Sequence, residues 1–317
     1  MKARLTVGLV LGLLLGSPLA APAPVAAQGP EGRWPLQPRS SVGRYVAPFL
    51  EGWYDNGDGT FTYSLGYLNL NEHVVELPHG EANFIEPSQF DGMQPTTFHV
   101  GKHRGVFAVT VPASMADTDI WWTLTNPNGE VTRVPARHIW TAYQLDYRAR
   151  PHGAFPPEIS FDDGNDATGQ GITGLVSQRT LSASVGERVL VEMDVEDVSI
   201  NDPNDSRVNQ GTQLHVTWAK YQGPGRGEVD FERHEDTIEL DVSEGQGGGG
   251  ANQPERPSPG DEVVPIMDEG TTRVWATFSM PGEYVLLGQV DNFRRPDSSS
   301  GNQCCWTNGY VRVNVTE

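Results

Sequence analysis

Side chains alternate with period two along this sequence, and no apolar stripe of useful length repeats with the period of a helix. In TFTYSLGYLNL, Phe61, Tyr63, Leu65 and Tyr67 alternate with Thr62, Ser64 and Gly66, the pattern of a strand buried on one face. GWYDNGDGTF, just before it, reads as strand, turn, strand. Asn56, Gly57, Asp58 and Gly59 tolerate the positive φ that a tight hairpin needs. RGVFAVTV (104–111), the hairpin DIWWTLT-NPNG-EVTRV (119–134) and HIWTAYQLDY (138–147) continue the series. With 36 glycines and 24 prolines, turn residues recur between the strands. Short strands at regular spacing predict an all-β fold of sandwiches or barrels.

The chain has 317 residues, room for two domains. Lys2 and Arg4 precede an apolar run, Leu5 to Leu19, and small residues then lead to Val25-Ala26-Ala27. The run is too short to favour a membrane span; with its flanks it predicts a secretory signal peptide over 1–27. Residues 28–43 read as a flexible linker and 44–148 as a first all-β domain. Residues 149–172, with Pro151, Pro156, Pro157 and an acidic run, read as a second linker. The second β-domain is expected over 173–317. Within it SEGQGGGGANQPERPSPGDE (243–262) has the composition of a disordered loop. The fold class expected is all-β, two β-sandwich domains in tandem.

In the second domain, TLSASVGERVLVEMDV gives two strands about a Val-Gly-Glu turn, followed by QLHVTWAKY (213–221), TRVWATFSM (272–280), EYVLLGQV (283–290) and YVRVNVT (310–316). Val216-Thr217-Trp218, then Gly223-Pro224-Gly225, then the run Thr277-Phe278-Ser279-Met280-Pro281-Gly282-Glu283-Tyr284-Val285-Leu286 resemble the immunoglobulin-like and PKD-like modules of bacterial secreted proteins. The resemblance covers 173–317. It implies a β-sandwich, a binding, spacing or adhesion role, no catalytic residues, and a tyrosine corner at Tyr284. The chain departs from antibody domains in lacking the inter-sheet disulfide and in carrying two adjacent cysteines. The resemblance also letters the strands: 188–195 is B, 213–221 C, 283–290 F and 310–316 G. It places the B–C and F–G loops at one end.

The two cysteines, Cys304 and Cys305, lie in the F–G loop, followed by Trp306. Consecutive Cα atoms are about 3.8 Å apart, closer than an ordinary disulfide wants, so a bond between them closes a strained ring with only local effect. An exported protein favours that oxidation; a reduced pair, or a metal or redox role, are the alternatives. Trp306, Asp291 and Asn292 complete the loop-tip surface expected to carry function.

Formal charge is −19, and loss of the two leader cations takes it to −21. Such a surface repels phosphate backbones and excludes nucleic acid as a partner. It suits Ca²⁺, for which Asp162, Asp163, Asp166, Glu196, Asp197, Asp202 and Asp205 are the candidate ligands; a solvated acidic loop is the simpler reading. His79, His99 and His103 are the residues a transition-metal site would use. However, Gly101 and the flanking strands put the last two at a turn, where hydrogen-bonded histidines are the simpler outcome. Trp121, Trp122 and Trp140 could line an exposed aromatic platform for sugar, but the first two point to opposite faces of one strand, so one is core, and core packing is the simpler fate for most of the eight Trp. Trp34, Trp53 and Trp306 have loop-like surroundings.

No nucleophile elbow, HExxH or P-loop is present. The expected function is an exported, non-enzymatic binding or structural-interaction protein of the bacterial envelope or exterior. It would be secreted or periplasmic, without a membrane span once the leader is cleaved, and with a protein or glycan partner. The alternatives are a carbohydrate-binding protein using exposed Trp, and a metal-dependent or hydrolytic secreted enzyme.

Overall fold

A computed structural model describes residues 44–138, 141–145, 155–200, 214–237, 262–266, 269–292 and 305–317. The expected leader, the first linker and all of 243–262 except Glu262 lie outside the described residues. The described chain is all-β: it contains strands and three short 3-10 turns but no α-helix. None of its helices is long and apolar enough to cross a membrane.

The first half contributes β1 (Val46–Asp55), β2 (Thr60–Asn69), β3 (Val75–Glu76), β4 (Asn83–Glu86), β5 (Thr97–Phe98), β6 (Gly101–Pro112), β7 (Ile120–Thr125), β8 (Val131–Ala136) and β9 (Gln144–Leu145). One sheet runs β6-β2-β1-β9, a second β4-β7-β8, and β3 pairs with β5. Tyr63, Leu65, Phe107 and Val109 of the first sheet share a core with Ile85, Trp122 and Leu124 of the second, which makes a sandwich. Trp122 meets Phe107 edge-on at 4.9 Å and donates its indole N–H to Asn83 Oδ1 at 3.0 Å. The strand expected over 138–147 is replaced, where described, by a 3-10 turn (Thr141–Tyr143) and the two-residue β9. His138 stacks on Phe61 at 4.4 Å, so this segment attaches through its rings rather than through a long ladder.

The second half contributes β10 (Glu158–Ser160), β11 (Thr168–Gln170), β12 (Leu175–Ser184), β13 (Arg188–Glu196), β14 (Leu214–Gln222), β15 (Val229–Arg233), β16 (Glu262–Ile266), β17 (Glu269–Phe278), β18 (Gly282–Asp291) and β19 (Trp306–Thr316). One sheet is β11-β10-β13-β17-β15 and the other β12-β19-β18-β14-β16. With β13, β14, β18 and β19 as strands B, C, F and G, β10-β13-β17-β15 reads A-B-E-D against β19-β18-β14 as G-F-C, the arrangement of an immunoglobulin-like sandwich; β11 extends the first sheet beside A, and β12 and β16 extend the second beside G and C. Val191, Met193, Trp218, Val274, Phe278, Leu286 and Val313 fill the core between the sheets. The stretch 149–172, expected as a linker, is part of this sandwich where it is described. Its Ile159 and Phe161 alternate about Ser160 and enter the core, a two-residue signal hidden by the flanking prolines and acids.

Tyr284 is buried and donates its hydroxyl to the Met280 carbonyl at 2.9 Å. This is the fold-back that the motif implied. Tyr284→Phe is expected to cost about 1 kcal/mol and to lower the melting temperature by a few degrees, measured by calorimetry.

The sheet holding β14, β18 and β19 is buried on both faces. Tyr284, Leu286 and Val290 of β18 face the sandwich core, whereas Leu287 and the partly buried Val285 pack into the core of the first half, as do Tyr221 and Tyr310. Trp306 forms a third cluster with Tyr54, Ala108 and Ile172. By its contacts, Val42–Glu317 is one compact unit. The two sandwiches are therefore fused along a face rather than strung on a tether.

Candidate functional site

β13 ends at Glu196 and β18 ends at Asp291, and the segments that follow meet at one pole of the second sandwich. Asn292 joins them. It is fully buried, and its amide Nδ2 donates to the Phe155 carbonyl at 3.0 Å and to Ser199 Oγ at 3.4 Å. Its backbone N–H reaches the Cys305 carbonyl at 3.4 Å. Ser199 is the hub on the B–C side: its hydroxyl donates to Asp197 Oδ1 and accepts from the Phe155 N–H at 3.1 Å. Cys305 is fully buried and disulfide-bonded, and the described residues include no free cysteine. Asp291 lies opposite Trp306 in the β18–β19 ladder. Five residues of the expected surfaces, Asp197, Glu196, Asp291, Asn292 and Cys305, thus gather at this pole. Cys304, Asp202 and Asp205 lie outside the described residues.

Trp306 points inward instead of lying on the loop-tip surface. It is 4% exposed, and its indole covers Gly105 so closely that a Cβ there would sit 2.5 Å from the ring. Gly105 has φ +50, which a side chain would also strain. The strand beyond Trp306 is tied to the first half. Asn308 Nδ2 donates to the Gly105 carbonyl at 2.7 Å and to the Ile172 carbonyl at 3.3 Å, and Gln289 Nε2 donates to Asn308 Oδ1 at 3.0 Å. Tyr310 donates its hydroxyl to the Val106 carbonyl at 3.0 Å. Trp53 is also buried, and Trp34 and Trp140 lie outside the described residues.

The acidic residues expected to act together are divided by strand register. β10 runs antiparallel to β13 with Glu158 opposite Glu196 and Ser160 opposite Asp194. Asp162, Asp163 and Asp166 are therefore carried away from Glu196 and Asp197 by about 13 Å or more along the ladder. Asp163 caps a turn: it accepts the Gln178 N–H at 2.6 Å, the Ser177 hydroxyl at 3.2 Å and the Asn165 N–H at 3.1 Å. These bonds, the Gln178 N–H first, hold its carboxyl below the usual carboxylate range. Asp162 and Asp163 also border a shallow cavity of about 70 Å³ with Ser177, Arg179 and Glu192. Among the described residues, no three His, Cys, Asp or Glu side chains lie together as a metal site would require.

The histidines divide in the same way. His79 donates Nε2–H to the Gln94 carbonyl at 2.9 Å. His99 and His103 have ring centroids 5.9 Å apart, but each has its own role. His99 Nε2–H donates to the Lys220 carbonyl at 3.0 Å, and its backbone N–H donates to the Tyr67 hydroxyl at 3.0 Å. His103 stacks on Tyr67 at 4.9 Å and donates to the Val100 carbonyl at 3.1 Å. Burial, and secondarily His99, push the pKa of His103 down to about 4.

The sequence reading missed the buried ion pair between the halves. Lys220 Nζ donates to Glu76 Oε1 at 2.9 Å, to the Pro224 carbonyl at 2.8 Å and to the Gly227 carbonyl at 2.7 Å. Its signal was present: Lys220 follows Trp218 at a spacing of two in β14, on the register that carries core residues.

No protein-family model matches the chain, and none of the curated proteins matches it in sequence. Among solved structures, PapD-like domain 7 of human CEP192, an ASH/PapD-like domain, is 10% identical, with a TM-score of 0.24, over 57% of this chain and 98% of that one. The D0-D1 domain of intimin is 10% identical, with a TM-score of 0.23, over 86% of this chain and 98% of its own. Scores this low carry no argument about role; the immunoglobulin-like order rests on the ladders described above.

Proposed function

We propose that this chain is an exported, non-enzymatic binding protein of the bacterial envelope or exterior. Its second sandwich would be of the PKD-like kind, and the pole where the B–C and F–G loops begin would be its functional surface. The observation that carries this reading is the Asn292–Ser199–Cys305 knot at that pole. It fixes the bases of both loops on a body whose two sandwiches are fused. Loops anchored on a rigid scaffold lose less freedom on binding. Cys304 is the proposed partner of Cys305, and their bond would stiffen the F–G loop without stapling distant segments. An oxidising compartment supports such a bond, in agreement with the leader-like residues 1–27. The partner is a protein or glycan outside the cytoplasm.

The full chain expressed in a bacterial host should be recovered outside the cytoplasm with its N-terminus at Gln28. It should show no free thiols before reduction and two after it. In co-sedimentation with washed cell envelopes, Cys304→Ser with Cys305→Ser should weaken retention about tenfold, as loss of a preorganised binding element does, while the melting temperature changes little. An uncleaved cytosolic product, two titratable thiols before reduction, or equal retention of the variant would each contradict the reading.

A further inference from the structure

β12 bounds its sheet and pairs, among the described strands, with β19 alone. Beyond one register shift, Thr180–Ser184 match Arg312–Thr316 residue for residue. Such an edge offers a row of backbone N–H and C=O groups to any further strand, and native proteins guard these rows with charge, proline, cover or brevity. The other described edges show those guards. β15 carries Asp230, Glu232 and Arg233, all exposed. β8 and β16 contain Pro135 and Pro265. β4 is capped by Asp91 and Gln94, and β6 is buried from Gly105 to Val109. β3, β5, β9 and β11 are two or three residues long.

Thr180–Ser184 reads TLSAS and contains neither charge nor proline. Thr180 and Ser182 are exposed. Among the described residues they and Leu181 make no hydrogen bond outside the β19 ladder. Leu181 and Ala183 face the core but are only partly buried, because the sandwich is open at this edge: Leu181 borders the cavity of about 70 Å³ together with Phe161, Leu190 and Val311. Charge flanks the run instead of interrupting it. Arg179 precedes it. Glu187 follows the turn at its end, where the Glu187 N–H donates to the Ser184 carbonyl at 3.1 Å. Both are exposed, and neither has an ion-pair partner among the described residues.

We propose that this edge pairs with the same edge of a second copy of the chain, antiparallel and centred on Ser182, so that the two five-stranded sheets become one. A two-fold contact needs a self-complementary surface, and this run provides one. Residues directly opposite in an antiparallel ladder share a face. Leu181 then stands opposite the partner's Ala183 over the open core, and Thr180 opposite the partner's Ser184 on the solvent side. At each end Arg179 meets the turn that carries the partner's Glu187, which forms two symmetric ion pairs. That match of charge and register selects a second copy over an unrelated strand. The net charge of −19 opposes association at low ionic strength, but at about 0.15 M salt it is screened beyond about 8 Å, and the contacting run is neutral. Five paired residues span about 17 Å. A contact that short buries far less than the roughly 800 Å² per partner of a permanent interface, so the dimer is reversible.

Sedimentation velocity of the full chain at about 0.15 M salt, over an about hundredfold range of concentration, tests the pairing. The wild type should pass from monomer to dimer across that range. Ser182→Lys changes an exposed side chain and sets two ammonium groups face to face on the two-fold. It should weaken dimerisation about tenfold or more and leave the melting temperature unchanged. Glu187→Lys should weaken it severalfold by facing Arg179, and adding Arg179→Glu should restore it, because the exchanged charges pair again across the interface. A wild type that stays monomeric throughout would overturn the assignment. So would a dimer that Ser182→Lys leaves intact, or a charge-exchanged variant that associates no more tightly than Glu187→Lys.

Discussion

Lys220→Ala is expected to destabilise the protein by about 3–5 kcal/mol, the cost of removing one partner of a buried ion pair. The Lys220 side chain is 6% exposed and that of Glu76 22%. Truncation leaves the Glu76 carboxylate facing an apolar seam with only the Thr97 hydroxyl as a donor, and it removes the ammonium from the Gly227 carbonyl and from the Pro224 carbonyl, which keeps the Gly227 N–H. Burial raises the pKa of Glu76 even with Lys220 beside it, so desolvation outweighs attraction and the pair is not a source of net stability by itself. Replacing both partners, Lys220→Met with Glu76→Leu, should therefore return to within about 1–2 kcal/mol of the wild type. Urea unfolding followed by tryptophan fluorescence gives both numbers. A single-variant loss below about 1 kcal/mol, or a double variant as unstable as the single, would mean that the pair does not join the halves.

What the sequence made legible was governed by how many faces of each strand are buried. β2, β13 and β18 were readable because their alternation separates one set of side chains from another, and the Tyr284 motif marked its own corner. Both-face burial defeated the same rule further on. Thr307 and Asn308 are fully buried yet polar, because Thr307 hydrogen-bonds to Pro157 and Gly171 and Asn308 to Gly105 of the first half, so β19 appeared to begin at Tyr310 and Trp306 appeared to lie on a loop. Ile159 and Phe161 make too short an alternation to stand out beside Pro156, Pro157 and the acids that follow. The segment 138–147 has the rings and β-branched residues of a strand, but among its described residues only Gln144 and Leu145 pair, in parallel with Trp53 and Tyr54. At the candidate pole, the meeting of the B–C and F–G sides followed from strand lettering alone. The role of Asn292 did not, because an asparagine that bridges three backbone segments looks in sequence like any loop asparagine. The acidic residues around Asp163 were grouped by composition, and only the β10–β13 register separates them.

Acidification from pH 6.5 to about 4 is expected to remove about 3 kcal/mol of stability through His103 alone. Its folded pKa of about 4 lies below the ordinary 6.5, so the unfolded chain takes up the proton first. The contribution is complete above pH 6.5, declines as pH falls through that window, and is gone below about 4. The surroundings offer an imidazolium no relief: His99 stands at 5.9 Å, the Tyr67 ring covers one face, and Lys220 is committed to Glu76. Glu51, an acid on β1 of the same sheet, is bonded to Arg104 at 3.2 Å. Carboxylates act mainly lower on the pH scale and in both directions. Glu76, raised by burial, favours the native state on protonation, while Asp163, lowered by its turn bonds, disfavours it. Urea midpoints at pH 7.5, 6 and 4.5 should therefore fall steadily in the wild type and stay nearly level in His103→Gln, whose amide does not titrate. A His103 imidazole resonance, assigned by its loss in His103→Gln, that titrates near 6.5 in the folded protein, or equal losses in both proteins, would show that His103 is not held neutral in the seam between the two sandwiches.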